Sequence, residues 1–217
     1  MIALIQSELM IEFRNPTALM SAALFALLAL LTQSLSVPSA ASNSGAAFAV
    51  FFISACFAGL LIEHERLARG KKTALGAMLA LSPAGAPAIF TSRAIVGALL
   101  LVLTEVCLFP FLVVFFNVPL GTPLVSFAAI AVCADIALAE LLTLFGAAGG
   151  SWKSGGSLAL PVLILPLAFP ILALSTVGCA RAFSGMPGLP FVKLLFASDV
   201  VLGVAGAFMY GKLLGKQ

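Results

Sequence analysis

The chain has 217 residues, of which 62% are hydrophobic and only 9% are charged. Soluble domains carry about 25% charged residues, so this composition excludes an ordinary soluble enzyme and a disordered chain. The formal net charge of +3 is too small and too dispersed to serve as a nucleic-acid footprint. A span needs about 20 apolar residues, so the length accommodates six spans with short loops.

The start, MIALIQSELMIEFRNP, lacks the basic n-region of a secretory signal and carries Glu8 and Glu12. The first apolar run is therefore expected to stay as a span. Residues 2–14 read as a short helix on the membrane surface. Ile2, Ile5, Leu9 and Phe13 share one stripe at helical spacing, and Glu8, Glu12 and Arg14 lie off it. Asn15-Pro16 ends this helix and starts the next. Spans are predicted at about 17–36, 46–62, 94–116, 124–148, 158–177 and 191–210, forming a single transmembrane domain over 1–217. The prolines and glycine between Asn117 and Pro123 predict a tight turn.

The basic residues test this topology. With the N-terminus inside, Arg14, Arg66, Arg69, Lys71, Lys72, Arg93, Lys153, Lys212 and Lys216 fall inside, and Arg181 and Lys193 fall outside. Nine against two is a strong bias under the positive-inside rule, and it places both termini in the cytoplasm.

Four features could carry chemistry. The segment after span 2 begins as a charged extension, and Thr73 to Leu81 then reads as a helix too short to cross. Ser82-Pro83 ends it, because proline disfavours helix in the residue before it. A short inner-face helix flanked by charge suits docking to a cytoplasmic partner, or it is merely interfacial.

The second feature is a set of acids inside spans: Glu105, Asp135, Glu140 and Asp199. A charge at that depth costs roughly 2.5–3.5 kcal/mol on insertion scales, and no basic residue shares it. The readings are a proton relay or substrate contact, or protonated carboxyls hydrogen-bonded across helices. Asp135 and Glu140 are five residues apart, about 140° around a helix, so they do not form one paired site.

Third, His64 is the single histidine. One histidine does not build a multi-ligand zinc site; the readings are a haem ligand or, as its place at the end of span 2 suits better, a solvated polar residue. Fourth, Pro161, Pro166 and Pro170 recur along span 5, so that helix is expected to kink or unwind locally, lining a path or simply packing. The four cysteines, Cys56, Cys107, Cys133 and Cys179, form no CxxC pair and read as small apolar residues. No nucleophile elbow, nucleotide loop, zinc-protease motif or cysteine–histidine pair is present. No catalytic or metal residue is therefore assigned, and any ATP hydrolysis is expected on a separate chain.

Three stretches together resemble one family. Glu8 to Arg14, ELMIEFR, is similar to the amphipathic start of small exporter permeases. Leu79-Ala-Leu-Ser-Pro83, followed by Arg93, resembles an inner "LLLSPLP…AK" stretch. Gly155 to Pro170, GGSLALPVLILPLAFP, is similar to the "RGG…LLPLLLLPL.IPV" run of the cytochrome c maturation permease CcmB, the haem exporter protein B family. The stretch Gly70 to Leu79 departs from that family's acidic pattern.

The resemblance implies an all-α membrane protein of the ABC-2-type exporter class. It would have six transmembrane helices, an N-terminal amphipathic interfacial helix and a cytoplasmic coupling helix between spans 2 and 3. Thr73, Leu75, Met78, Leu79, Leu81, Ser82 and Pro83 would carry the coupling to an ATPase. Glu105, Asp135, Glu140, Pro161, Pro166 and Pro170 are the intramembrane polar or path candidates. The implied setting is the bacterial cytoplasmic (inner) membrane, in haem export or haem-chaperone release for c-type cytochromes. Implied partners are a CcmA-like ATPase, as two permeases with two ATPases, and CcmC-, CcmD- and CcmE-like proteins. No cofactor is assigned to this chain: haem would be substrate, and ATP would bind the partner. The alternatives are an exporter permease for another hydrophobic substrate and a proton-coupled transporter.

Overall fold

The computed structural model describes residues 2–36, 44–72, 85–118, 123–150 and 156–214. They form the helices α1 (Ile2–Arg14), α2 (Thr17–Ser36), α3 (Ser44–Lys72), α4 (Gly85–Phe116), α5 (Leu124–Gly150), α6 (Gly156–Phe183) and α7 (Leu189–Leu214). No strand occurs among the described residues. Helices α2 to α7 are each long and apolar enough to cross a bilayer. The 13 residues of α1 are too few. The residues Thr73 to Pro83, to which ATPase docking was assigned, lie outside the described set.

The span order matches the sequence expectation, and the charged extension expected after span 2 is helical, but α4 starts earlier than predicted and α6 ends later, at Phe183 and not Val177. α3 continues from Ile62 to Lys72, and α4 starts at Gly85, ahead of Ala94. The extension of α3 is rich in Glu, Arg, Leu, Ala and Lys, all good helix formers, so polarity does not end the helix there.

Local chemistry sets the turns. The Pro16 carbonyl accepts from Met20 N at 2.9 Å, so proline sits in the first turn of α2, where its missing N–H costs nothing. Thr17 Oγ1 donates to Asn15 Oδ1 at 3.1 Å across the same corner. Asn117 ends α4 with φ 49°, a left-handed conformation that asparagine tolerates. At the end of α6, Met186 N bonds Arg181 O at 3.0 Å and Gly185 N bonds Ala182 O at 3.2 Å. This is a Schellman stop, and it requires the positive φ (82°) that Gly185 supplies.

α5 is the central helix and packs against α3, α4, α6 and α7. On α2, Ala18, Ala22, Ala26 and Leu30 are buried at every fourth position, so small side chains let it approach its neighbours closely. Its other faces expose Met20, Leu24, Leu28 and Leu35, as a surface bathed in lipid does. α7 likewise exposes Phe196, Val201 and Phe208.

The two ends of the bundle are built differently. At one end Phe127 of α5 is a hub of rings. Its centroid lies 5.1 Å from Phe109, 5.8 Å from both Phe48 and Phe51, and 6.3 Å from Phe183. At the other end charged side chains meet. Truncating the hub leaves a cavity no lipid can fill. Phe127→Ala is expected to lower stability in detergent by about 3 kcal/mol, while Val125→Ala, at an exposed position, leaves the melting temperature unchanged; thermal unfolding of the two variants checks this.

Candidate functional site

The charged end is organised by Arg66, whose side chain is only 4% exposed although it lies on the extension of α3. Its Nη2 donates to Glu8 Oε2 on α1 at 2.9 Å, and its Nη1 to Glu63 Oε2, one turn back on α3, at 3.0 Å. Its Nε lies 3.5 Å from Glu12 Oε1. Both terminal nitrogens also reach the Arg93 carbonyl on α4 at 3.4 Å. One planar guanidinium thus joins three helices, using the fixed fork of donors that lysine lacks. Arg69, one turn on, donates to Glu12 at 2.5 Å and to the Asn15 carbonyl at 3.4 Å. Arg93 Nη2 lies 3.6 Å from Glu63 Oε1, beside the buried Tyr210 of α7.

Room for this cluster comes from a glycine. A Cβ at Gly146 of α5 would fall 2.9 Å from Glu63 Oε1, so a larger residue there would push the carboxylate from its place on Arg66. The cluster also turns α1 about its axis. The stripe read as facing the membrane is divided: Ile5 and Leu9 pack on the bundle core, and Ile2 and Phe13 are 73% and 62% exposed. The acids read as off the apolar stripe face the bundle, because the arginines draw them in. Met10 and Ile11 are left on the outward surface. Burial pushes the Glu8 carboxyl above its ordinary value of 4.5, outweighing the opposing pull of Arg66 and Arg93. His64 is exposed beside the cluster and is not part of it.

The span acids occupy a second region. Glu105 of α4 is 5% exposed and Asp135 of α5 is 0% exposed, and the two lie within electrostatic reach of each other. Asp199 of α7 is also buried and lies within reach of Glu140 and Cys133, on another side of α5. Glu140 Oε1 lies 2.8 Å from where a Cβ on Gly203 of α7 would stand. Asp135 and Glu140 therefore serve different neighbours, as their angular separation on the helix requires. Glu105 Oε1, Glu140 Oε2 and both oxygens of Asp135 and Asp199 are buried without a hydrogen-bond partner among the described residues. α6 stays helical through Pro161, Pro166 and Pro170, without the local unwinding the prolines suggested, and Pro166 and Pro170 lie on its exposed side.

The sequence singled out the acids, but it did not reveal the hub at Arg66. The available signal was an arginine one turn beyond Glu63, in a stretch still periodic enough to remain helical. No group of three metal-ligating side chains occurs among the described residues.

Six bilayer-length apolar helices define a multi-pass membrane protein. The profile of the CcmB family, described as CcmB protein, matches residues 1–214, and the chain belongs to that family. It is a transmembrane permease component of an ABC transporter of haem and cytochrome c biogenesis, not itself an enzyme. No curated protein matches the chain.

Removing the hub leaves the part-buried Glu8 without its cation and leaves Glu12 and Glu63 with only Arg69 and Arg93, which is costlier than never having paired them. Arg66→Met is expected to destabilise by about 3 kcal/mol and to speed amide exchange across residues 2–14; Arg66→Lys falls between, and hydrogen exchange reads both. The Glu8 shift gives a pH dependence. A carboxyl whose folded value is raised contributes most below its ordinary value of 4.5, and that contribution is lost as pH rises through the raised folded value. Thermal melts across that window are expected to fall with rising pH, and Glu8→Gln is expected to flatten the decline.

Proposed function

We propose that this chain is the membrane half of a haem-handling ABC transporter in the bacterial cytoplasmic membrane, powered by a separate CcmA-like ATPase. Both termini and the ionic cluster lie on the cytoplasmic side. Two permeases work with two ATPases, and CcmC-, CcmD- and CcmE-like proteins complete the assembly. ATP-driven closure of the ATPases acts on haem itself or on release of its chaperone. Thr73, Leu75, Met78, Leu79, Leu81, Ser82 and Pro83 form the contact that carries that closure into α3 and α4. α1 is the amphipathic interfacial helix, with Ile2, Met10 and Phe13 toward lipid.

The observation that supports this reading is the Arg66 cluster. It ties α1, α3 and α4 where α3 leads into Thr73, so a push on that segment is passed to three helices at once. The energy lies in two packed states of different stability, selected by the ATPases. The excess of basic residues at this end supports the orientation.

The test is a tagged pull-down from native membranes in mild detergent, read by mass spectrometry. An ABC ATPase together with a CcmC-like protein is the expected result. An ATPase without haem-maturation partners would move the reading to an exporter of another hydrophobic substrate. Recovery of the chain with no ATPase would overturn it. Replacing Leu79 and Leu81 by Asp is expected to release the ATPase while the chain still inserts; unchanged co-purification would sink the assignment of 73–83.

A further inference from the structure

We propose that Glu105 of α4 and Asp135 of α5 form a proton-binding site inside the membrane, closed to water in this conformation of the bundle. Glu105 lies eleven residues before Phe116, and Asp135 eleven residues after Leu124. Both helix ends lie at the aromatic end of the bundle. At 1.5 Å per residue the two carboxyls share a layer about 16 Å in, near the middle of a hydrocarbon core about 30 Å thick.

The pair is defined by what it lacks. Both residues are more than nine-tenths buried, so lipid headgroups and partner chains do not reach them. Three of their four oxygens, Glu105 Oε1 and both of Asp135, have no hydrogen-bond partner. The nearest hydroxyl in sequence, Thr104, donates to the Leu100 carbonyl at 2.8 Å instead. Buried polar atoms are satisfied in the great majority of cases, so three orphan oxygens in one place call for a missing partner.

The surrounding groups do not supply that partner. α6 presents the Cys179 thiol within electrostatic reach of Glu105. α7 places Asp199, a further acid, in reach of Cys133 and Glu140 on another side of α5. The cations of the packed helices sit near their ends. Arg66, Arg69, Arg93 and Lys212 are at the ionic end, and Arg181 and Lys193 are at the other. Lys193 is closest in depth, seven residues from the layer, or about 10 Å along the helix, and it is exposed. Two like charges without a cation do not persist in such a medium. A bound proton removes one charge and creates the donor that an orphan oxygen of the neighbouring carboxyl accepts. If the bundle opens and water enters this layer, both acids regain their solvation and the proton leaves. Proton release is thereby tied to opening, whichever substrate the transporter carries.

The experiment is infrared spectroscopy of the intact chain in lipid near neutral pH, comparing wild type with Asp135→Asn and Glu105→Gln. The expected result is a protonated-carboxyl band in wild type that is lost or reduced in at least one variant, with melting temperatures unchanged because each amide is close in shape to the protonated acid. Absence of the band from wild type, or a band unaffected by both variants, would overturn the proposal. Loss of the wild-type band on adding sodium would replace the proton by a metal cation and overturn it too. If one variant fails to fold, the other still decides. Dicyclohexylcarbodiimide gives a second reading, since it adds only to a protonated carboxyl: the acid oxygen bonds the carbodiimide carbon and the proton moves to nitrogen. Adduct at Glu105 or Asp135 is expected. The ATPase pull-down is independent of both readouts, so a failure here leaves the transporter assignment standing.

Discussion

The arrangement depends on one constraint: an arginine held almost out of water at the end of a membrane helix must be neutralised by several acids at once. Arg66 meets it by drawing Glu8, Glu12 and Glu63 to one guanidinium. No single pair would offset the desolvation of that charge. The number of partners fixes the geometry. α1 has to lie where both of its acids can reach, α4 has to present its Arg93 carbonyl, and the glycine at 146 of α5 leaves the Glu63 carboxylate in place. The position of a 13-residue helix too short to anchor itself follows from the charge on another helix.

The same logic, inverted, governs the middle of the bundle. There the acids have no cation beside them among the described residues, and the helices carrying them are otherwise strongly apolar. Placing Glu105, Asp135 and Asp199 on three packed helices concentrates unfavourable burial in one layer. The glycine at 203 lets Glu140 approach α7 in the way that the glycine at 146 lets Glu63 approach α5. Charge and small residues thus recur together wherever this bundle takes in a polar group.

What the sequence revealed follows the strength of each signal. Twenty consecutive apolar residues admit one interpretation, so the spans were legible, and α2 begins and ends where its composition changes. The start of α4 and the end of α6 were not, because hydropathy marks where a helix leaves the apolar layer and not where the helix stops. Periodicity put Ile2, Ile5, Leu9 and Phe13 on one stripe but did not reveal that Ile5 and Leu9 turn to the bundle while Ile2 and Phe13 stay exposed. Their orientation is set by Arg66 and Arg69, whose partners are 58 and 57 residues away. The separation of Asp135 from Glu140 around α5 could be read from spacing alone. The neighbours of each, Glu105 and Asp199, depend on the packing order of helices, which local pattern does not contain.

The length of α4 has a mechanical consequence. Arg93 is the point at which α4 is gripped, and eight residues, Gly85 to Ser92, precede it. They span about 12 Å, while the seventeen steps from Arg93 to Pro110 span about 26 Å. A rigid rod held there is a lever with its fulcrum at the ionic cluster. A sideways displacement at Gly85 would return on the far side roughly doubled, at the level where Phe109 meets the aromatic hub. The tilted ring contact of Phe109 with Phe127 is less directional than an ion pair, so the grip and the yielding contact lie at opposite ends of the same helix.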